Sequence, residues 1–168
     1  MDLDRSTLIA YCGLPGVGKS VASAYTAEQL SAERYRSDEV RKRLFPDPEY
    51  SDEETAATYD ELLSCARSEL EADRDVVLDA TFRAKRFRAR VAAVASEVDA
   101  AVEYVLVTCD VDVVRNRLES RTETVSDAEF EQHLQFKEAF EPIERDHVVI
   151  DNSGTLEETY RQIDRAVL

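Results

Sequence analysis

Gly13-Leu14-Pro15-Gly16-Val17-Gly18-Lys19-Ser20 has the spacing Gly-x-x-x-x-Gly-Lys-Ser of a phosphate-binding loop. The chain contains four glycines, and three of them fall in this octapeptide. Such a concentration marks a backbone that bends tightly and approaches something closely. Bare N–H groups in a loop of this kind line a concavity suited to phosphate oxygens. By this pattern Lys19 reaches the β- and γ-phosphates, and the Ser20 hydroxyl is a ligand for Mg2+.

The flanks agree with that reading. Thr7-Leu8-Ile9-Ala10-Tyr11-Cys12 is short, apolar and rich in strand formers, so it reads as a buried strand. Val21 to Ala32 reads as a helix, with Val21, Ala24, Tyr25 and Ala27 as its apolar face. Strand, glycine loop and helix in that order set a positive helix N-terminus under the phosphates. The alternative is a Gly/Pro turn that carries Lys-Ser by coincidence.

A chain of 168 residues is expected to form one domain with a substantial core, its lid spanning about 115–136. No stretch approaches the length of a membrane span, and no basic-then-apolar leader is visible, so a cytoplasmic protein is expected. Cys12, Cys65 and Cys109 are scattered without metal-type spacing and read as buried thiols in a reducing compartment. The net charge of −15, from 36 acidic and 21 basic residues, favours solubility at the cost of self-repulsion. That balance predicts a salt-loving source with mostly solvated acids. It opposes loose nucleic-acid binding without excluding a local basic channel.

Helix-like and strand-like segments alternate along the whole chain. This predicts an α/β fold, with a parallel sheet and helices on both faces. A brief strand surrounds Tyr35, and Ser37 or Asp38 then caps a short helix to about Phe45. Asp38 is either a simple cap or a carboxylate placed to take a proton from a hydroxyl, and both can hold. Arg41, at i+3, points to the same side. Ser51-Asp52-Glu53-Glu54 starts the next helix, an acidic amphipathic element with Tyr59, Leu62, Leu63, Ala66 and Leu70 at helical period. Val76-Val77-Leu78-Asp79 is an apolar strand ending in a carboxylate, which beside a phosphate loop faces the metal or the second substrate.

Five basic residues then fall between Arg83 and Arg90, and no acid occurs from Ala80 to Ser96. Arg83, Arg86 and Arg90 are expected on one helical face. Their role is either contact with an anionic acceptor or pairing with the acidic surface. Ala101 to Thr108 is a further strand. From Asp110 a helix carries Arg115, Arg117 and Arg121, and after a break a second helix runs from Asp127 to Phe140. Two helices with arginines at the hinge suggest a lid over a nucleotide, salt bridges to Glu119 and Glu123 being the alternative. His147 to Asp151 is the last strand. Asn152-Ser153-Gly154 turns into a helix from about Thr155 and could edge a base. His133 and His147 have no ligand-like company.

The octapeptide, Ser37-Asp38-Glu39-Val40-Arg41-Lys42, Leu78-Asp79-Ala80-Thr81-Phe82, the arginine lid and Ser126-Asp127-Ala128 together resemble the P-loop kinase group of ATP-binding AAA-type proteins. Its relatives include the 5′-hydroxyl polynucleotide kinase domain, zeta-toxin-like kinases and gluconate/shikimate-type kinases. The resemblance implies a three-layer fold with about five parallel strands and a small helical lid. It also implies transfer of the γ-phosphoryl of ATP, with Mg2+, to a hydroxyl on a small metabolite, a nucleotide or a polynucleotide 5′ end. By position it makes Lys19, Asp38 and Arg121 catalytic, with Asp38 as general base. Nucleotide contacts then fall to Gly13, Pro15, Gly16, Val17, Gly18, Lys19, Ser20, Val21 and Arg117. Acceptor contacts fall to Arg41, Asp79, Thr81 and Arg83, and the metal to Ser20 with Asp79 acting through water. Val21 departs from the second hydroxyl residue often found after Lys-Ser. A nucleotide-responsive switch without acceptor and a toxin-like kinase are the competing readings.

Overall fold

Leu8 to Cys12 of β1 (Thr7–Cys12) are buried, and they alternate between two apolar clusters. Leu8, Ala10 and Cys12 enter one cluster, Ile9 and Tyr11 the other. A strand buried on both faces must be apolar at every position, and such strands occupy the middle of parallel sheets. The computed structural model describes residues 5–121 and 126–168, the side chains of residues 121 and 126–129 excepted.

After β1 come α1 (Lys19–Leu30), β2 (Glu33–Arg36), α2 (Ser37–Leu44), α3 (Asp52–Glu71), β3 (Val76–Asp79) and α4 (Lys85–Glu97). Then follow β4 (Ala101–Thr108), α5 (Val111–Arg121), α6 (Ser126–Ala139), β5 (Val148–Asp151) and α7 (Leu156–Ala166). The sheet order is β2-β3-β1-β4-β5, with all four pairings parallel. From β1 the chain crosses to the edge strand β2, returns to β3 beside β1, and then passes to the other side through β4 and β5. That reversal opens a crevice at the carboxyl ends of the strands, where ligands of such sheets bind.

Each face of the sheet has its own helices. Tyr59, Leu62, Leu63, Ala66 and Leu70 of α3 join Phe87, Val91 and Ala95 of α4 on one side. Ala22 and Ala27 of α1, Val114 and Leu118 of α5, and Ile163 of α7 cover the other. The acidic α3 is less solvated than its composition suggests, since Glu54 and Glu69 are buried. Glu69 accepts from Tyr35 at 2.8 Å and from Arg74 at 2.6 Å.

Several boundaries differ from the sequence expectation. The helix expected over Val21–Ala32 runs over Lys19–Leu30, because Gly18 already stands at its N-cap and Ser31 turns left-handed (φ 52°) to end it. Its buried face is Ala22, Ser23, Thr26 and Ala27, whereas Val21 is 39 % exposed. Arg36, not Ser37 or Asp38, is the N-cap of α2. Ser51 does cap α3, accepting from Glu54 N–H at 3.2 Å, and Thr155 and Glu158 form a reciprocal capping box on α7. Of the thiols, Cys12 is buried while Cys65 and Cys109 are half-buried, and none is in a disulfide. Burial pushes the Cys12 thiol up to about 12, so it is inert at neutral pH. Among the described residues no helix is long and apolar enough to cross a membrane.

Arg88, 2 % exposed, is the largest fully buried side chain. It donates to the carbonyls of Phe82 (2.7 Å), Glu141 (2.8 Å) and Pro142 (3.2 Å), tying the segment after β3 to the segment after α6. Phe140 lies against its guanidinium at 5.4 Å. Arg88→Met should therefore lower unfolding free energy by about 3 kcal/mol in urea titration, since buried carbonyls lose their donors. The ion pairs around the molecule are mostly exposed and individually weak. Self-repulsion from the net charge of −15 outweighs them, so molar salt should raise the melting temperature.

Candidate active site

The carboxyl ends of β1, β2 and β3 bring the first group of residues together. Parallel register sets Tyr11 opposite Asp79, and Asp79 opposite Arg36. The glycine loop leaves β1 at this level. Gly16 and Gly18 are left-handed, with φ of 86° and 85°. At Gly18 a Cβ would also meet Asn152 Nδ2 at 2.0 Å, so only glycine fits. The first turn of α1 has no side-chain cap, which leaves its N–H groups facing the loop.

Asp79 is 4 % exposed. Its carboxylate lies 3.5 Å from Lys19 Nζ and accepts from Ser23 Oγ at 2.5 Å. Arg34 donates to Ser23 Oγ (3.1 Å) and to the Ser20 carbonyl (2.8 Å). Arg36 donates to Ser20 Oγ at 3.1 Å and to Asp38 at 3.3 Å, and its Nε is buried without a partner among the described residues. Ser23, Arg34 and Arg36 were not legible in the sequence as site residues. Ser23 looked like an ordinary helix position, and the arginines gain their meaning from strand pairing. The hard oxygens of Ser20 and Asp79 are the donor types that Mg2+ takes alongside phosphates and water.

Asn152, in the turn expected to edge a base, also supports the phosphate loop, a contact the sequence does not record. It is 4 % exposed and donates to the Val17 carbonyl at 2.8 Å, while accepting from Thr159 at 2.6 Å. Arg117 donates to the Asn152 carbonyl at 2.7 Å and to Cys109 Sγ at 3.4 Å, beside Gly18. His133 on α6, 2 % exposed, is hydrogen-bonded through Nδ1 to the Pro15 carbonyl at 2.7 Å. It lacked ligand-like company in the sequence because its partner is backbone. Val17 is buried in the core behind the loop. Arg121 closes α5, and its side chain lies outside the described residues.

A cavity of about 310 Å³ opens beside the loop, with Pro15, Asp38, Arg41 and Thr81 on its walls. Asp38, whose side chain is 59 % exposed, sits in the first turn of α2 and accepts from Glu39 N–H at 2.9 Å. Arg41 is held by Glu54 (3.4 Å) and Thr55 Oγ1 (3.0 Å). Glu54 also accepts from the N–H groups of Glu49 and Tyr50, at 2.8–3.0 Å. Those bonds, the Glu49 N–H first, hold its carboxyl below the usual carboxylate range. Phe82, left-handed at φ 48° and fully buried, turns into the core, so that its neighbours Thr81 and Arg83 both reach the cavity.

Of the three arginines expected on one helical face, Arg86 and Arg90 stand four apart on α4, but Arg83 does not join them. Arg83 precedes α4 because the helix begins only at Lys85. Arg83 lines the cavity, Arg88 is in the core, Arg90 pairs with Asp60, and Lys85 pairs with Glu144 at 2.9 Å. A larger cavity of about 530 Å³ lies under α6, against Leu14, Val17, Phe140 and Ile143. It carries His133, Lys137 and His147 but no carboxylate on its walls, whereas Asp38 stands on the wall of the smaller one.

Residues 8–143 match the model of the AAA domain family. An uncharacterized protein of Mycobacterium tuberculosis is 30 % identical over 128 residues, covering 69 % of this chain and 26 % of that protein. The chain thus spans about a quarter of the length of the curated relatives it matches. A gluconokinase from Sinorhizobium meliloti shares the fold with a TM-score of 0.66 at 18 % identity, over 96 % of this chain and 93 % of that one. The M. tuberculosis adenylylsulfate (APS) kinase CysC, in complex with AMPPNP and APS, does so with a TM-score of 0.69 at 15 % identity, over 95 % and 96 %. With its glycine loop, five parallel strands and these neighbours, the chain belongs to the AAA domain family and has the fold of the P-loop kinases.

Proposed function

We propose that this protein is an ATP- and Mg2+-dependent kinase that transfers the γ-phosphoryl group to a hydroxyl acceptor. The observation that supports this best is adjacency: Pro15 of the phosphate loop shares one cavity with Asp38, Arg41 and Thr81. A switch that only binds nucleotide has no use for a carboxylate and a guanidinium beside that loop. The kinase neighbours, one with AMPPNP bound, agree with this reading. The acidic composition suits a cytoplasm of high salt.

In this reading the loop amides from Gly13 to Ser20 hold the phosphates, and the Arg117 guanidinium borders the base beside the turn at Asn152. Val21 follows on the first turn of α1. The acceptor O–H gives its proton to the Asp38 carboxylate as its oxygen bonds to the γ-phosphorus. The bond from that phosphorus to the β,γ-bridging oxygen breaks, and ADP leaves with the electron pair. Lys19 and Arg121 offset the charge that spreads over the transferring group. Arg41, Thr81 and Arg83 orient the acceptor, and Asp79 holds Lys19 in register. Ser20, with Asp79 through water, would hold Mg2+, which supplies charge neutralisation at the β- and γ-phosphates.

A radiolabelled γ-phosphate transfer screen in high salt, over nucleosides, nucleotides, sugar acids and 5′-hydroxyl DNA and RNA, tests the reading directly. Labelling of no acceptor, despite tight ATP binding, would favour the switch. Asp38→Asn should leave ATP affinity intact and slow transfer by about 10²- to 10⁴-fold. Transfer at the wild-type rate would remove Asp38 from the role of base. Lys19→Ala should weaken ATP binding and transfer together, and full turnover in that variant would defeat the loop assignment.

A further inference from the structure

We infer that the acceptor joins a planar unsaturated ring to an anionic group, and that a nucleoside monophosphate with a free ribose hydroxyl is the class that fits. This rests on the kinase reading and names what fills the same cavity. Four of the twelve residues on its walls are aromatic, although aromatics make up 8 % of the chain. Tyr59 and Phe87 are buried and stacked on each other at 4.0 Å, so they belong largely to the core. Tyr50 and Phe136 do not. Tyr50 is 69 % exposed, and Phe136 is half-buried on α6.

Each of these two rings carries a guanidinium. Arg41 lies over Tyr50 at 5.0 Å and Arg83 over Phe136 at 5.7 Å. A ring with an arginine plane against it offers a flat, polarizable wall to another flat group, and a positive charge at its edge. Tyr50 holds a left-handed backbone, φ 57°, which a bulky residue adopts only where its surroundings enforce it. The bonds from Glu49 and Tyr50 N–H to Glu54 provide that enforcement. The ring is therefore held out in place rather than left over from packing.

Charge selects the second half of the ligand. Arg41 is already neutralised by Glu54 at 3.4 Å. Among the described residues Arg83 has no carboxylate within 4.0 Å, in a chain with net charge −15. A guanidinium left in that state on a cavity wall suits a phosphate. A sugar acid would supply the charge but leave the rings without a partner, and a neutral nucleoside would do the reverse. A cavity of about 310 Å³ is at the small end of ligand pockets and suits one nucleotide. Stacking tolerates any base, so the ring and the charge decide more than base identity.

The test is calorimetric binding to the full chain in high salt, with Mg2+ and saturating AMPPNP holding the ATP site. The probes are adenosine 3′-monophosphate, adenosine, ribose 5-phosphate, gluconate and a 5′-hydroxyl decanucleotide. The nucleotide should bind about tenfold or more tighter than adenosine or ribose 5-phosphate. Phe136→Leu should weaken the nucleotide and adenosine about tenfold and spare ribose 5-phosphate. Arg83→Gln should weaken the nucleotide and ribose 5-phosphate and spare adenosine. Gluconate binding as tightly as the nucleotide, or unchanged nucleotide affinity in both variants, would overturn the inference. A decanucleotide bound far more tightly than the mononucleotide would replace it with a nucleic-acid end. If AMPPNP binds and no probe does, this inference fails and the ATP site stands; if AMPPNP itself fails to bind, the kinase reading fails with it. Should a variant not fold, the wild-type ranking of the five probes still decides.

Discussion

The carboxylate of Asp79 is the constraint on which the site depends. Buried at the end of β3, it faces Lys19 from one side and Ser23 from the other. A buried charge without partners is costly, so these groups hold one another in a defined arrangement. Arg34 extends the network to the Ser20 carbonyl, and Arg36 extends it to the Ser20 hydroxyl and Asp38. The loop lysine, the hydroxyl that suits a metal and the exposed carboxylate of α2 are thereby linked through side chains rather than by proximity alone.

The sheet makes this possible. Parallel pairing of β1 with β3, and of β3 with β2, puts Tyr11, Asp79 and Arg36 in one row at the carboxyl edge. The glycine loop, Asp79 and the start of α2 therefore emerge at the same height. From the opposite side Asn152, following β5, reaches across to the Val17 carbonyl and excludes any side chain at Gly18. Two helices on the far side of the crevice complete the enclosure. Arg117 of α5 is anchored at Asn152, and His133 of α6 at the Pro15 carbonyl. The backbone of the phosphate loop is thus buttressed by side chains from α6 and from the turn after β5.

The second half of the crevice is organised around Glu54. One carboxylate fixes Arg41, the backbone at Glu49 and Tyr50, and so the rim of the smaller cavity. The left-handed Phe82 does the same on the other wall, turning its own ring into the core while Thr81 and Arg83 face inward. Backbone strain of this type concentrates where a site needs a particular geometry.

What the chain determined by itself was local. The octapeptide specifies a phosphate loop because its glycines, its lysine and its serine are contiguous, and the alternation of strands and helices is written in hydrophobic period. Asp38 and Asp79 could be singled out because one lies at a helix start and the other at a strand end, Arg41 because it follows Asp38 by three residues, and Thr81 only through the family resemblance. Tertiary structure alone decided which long side chains reach the site. Arg34, Arg36, Asn152 and His133 act through partners 11 to 135 residues away in the chain, and no local pattern records such pairs. The basic run from Arg83 to Arg90 shows the same limit. Its members separate to the cavity, the core and the surface because the start of α4 at Lys85, not their shared charge, sets where each one points.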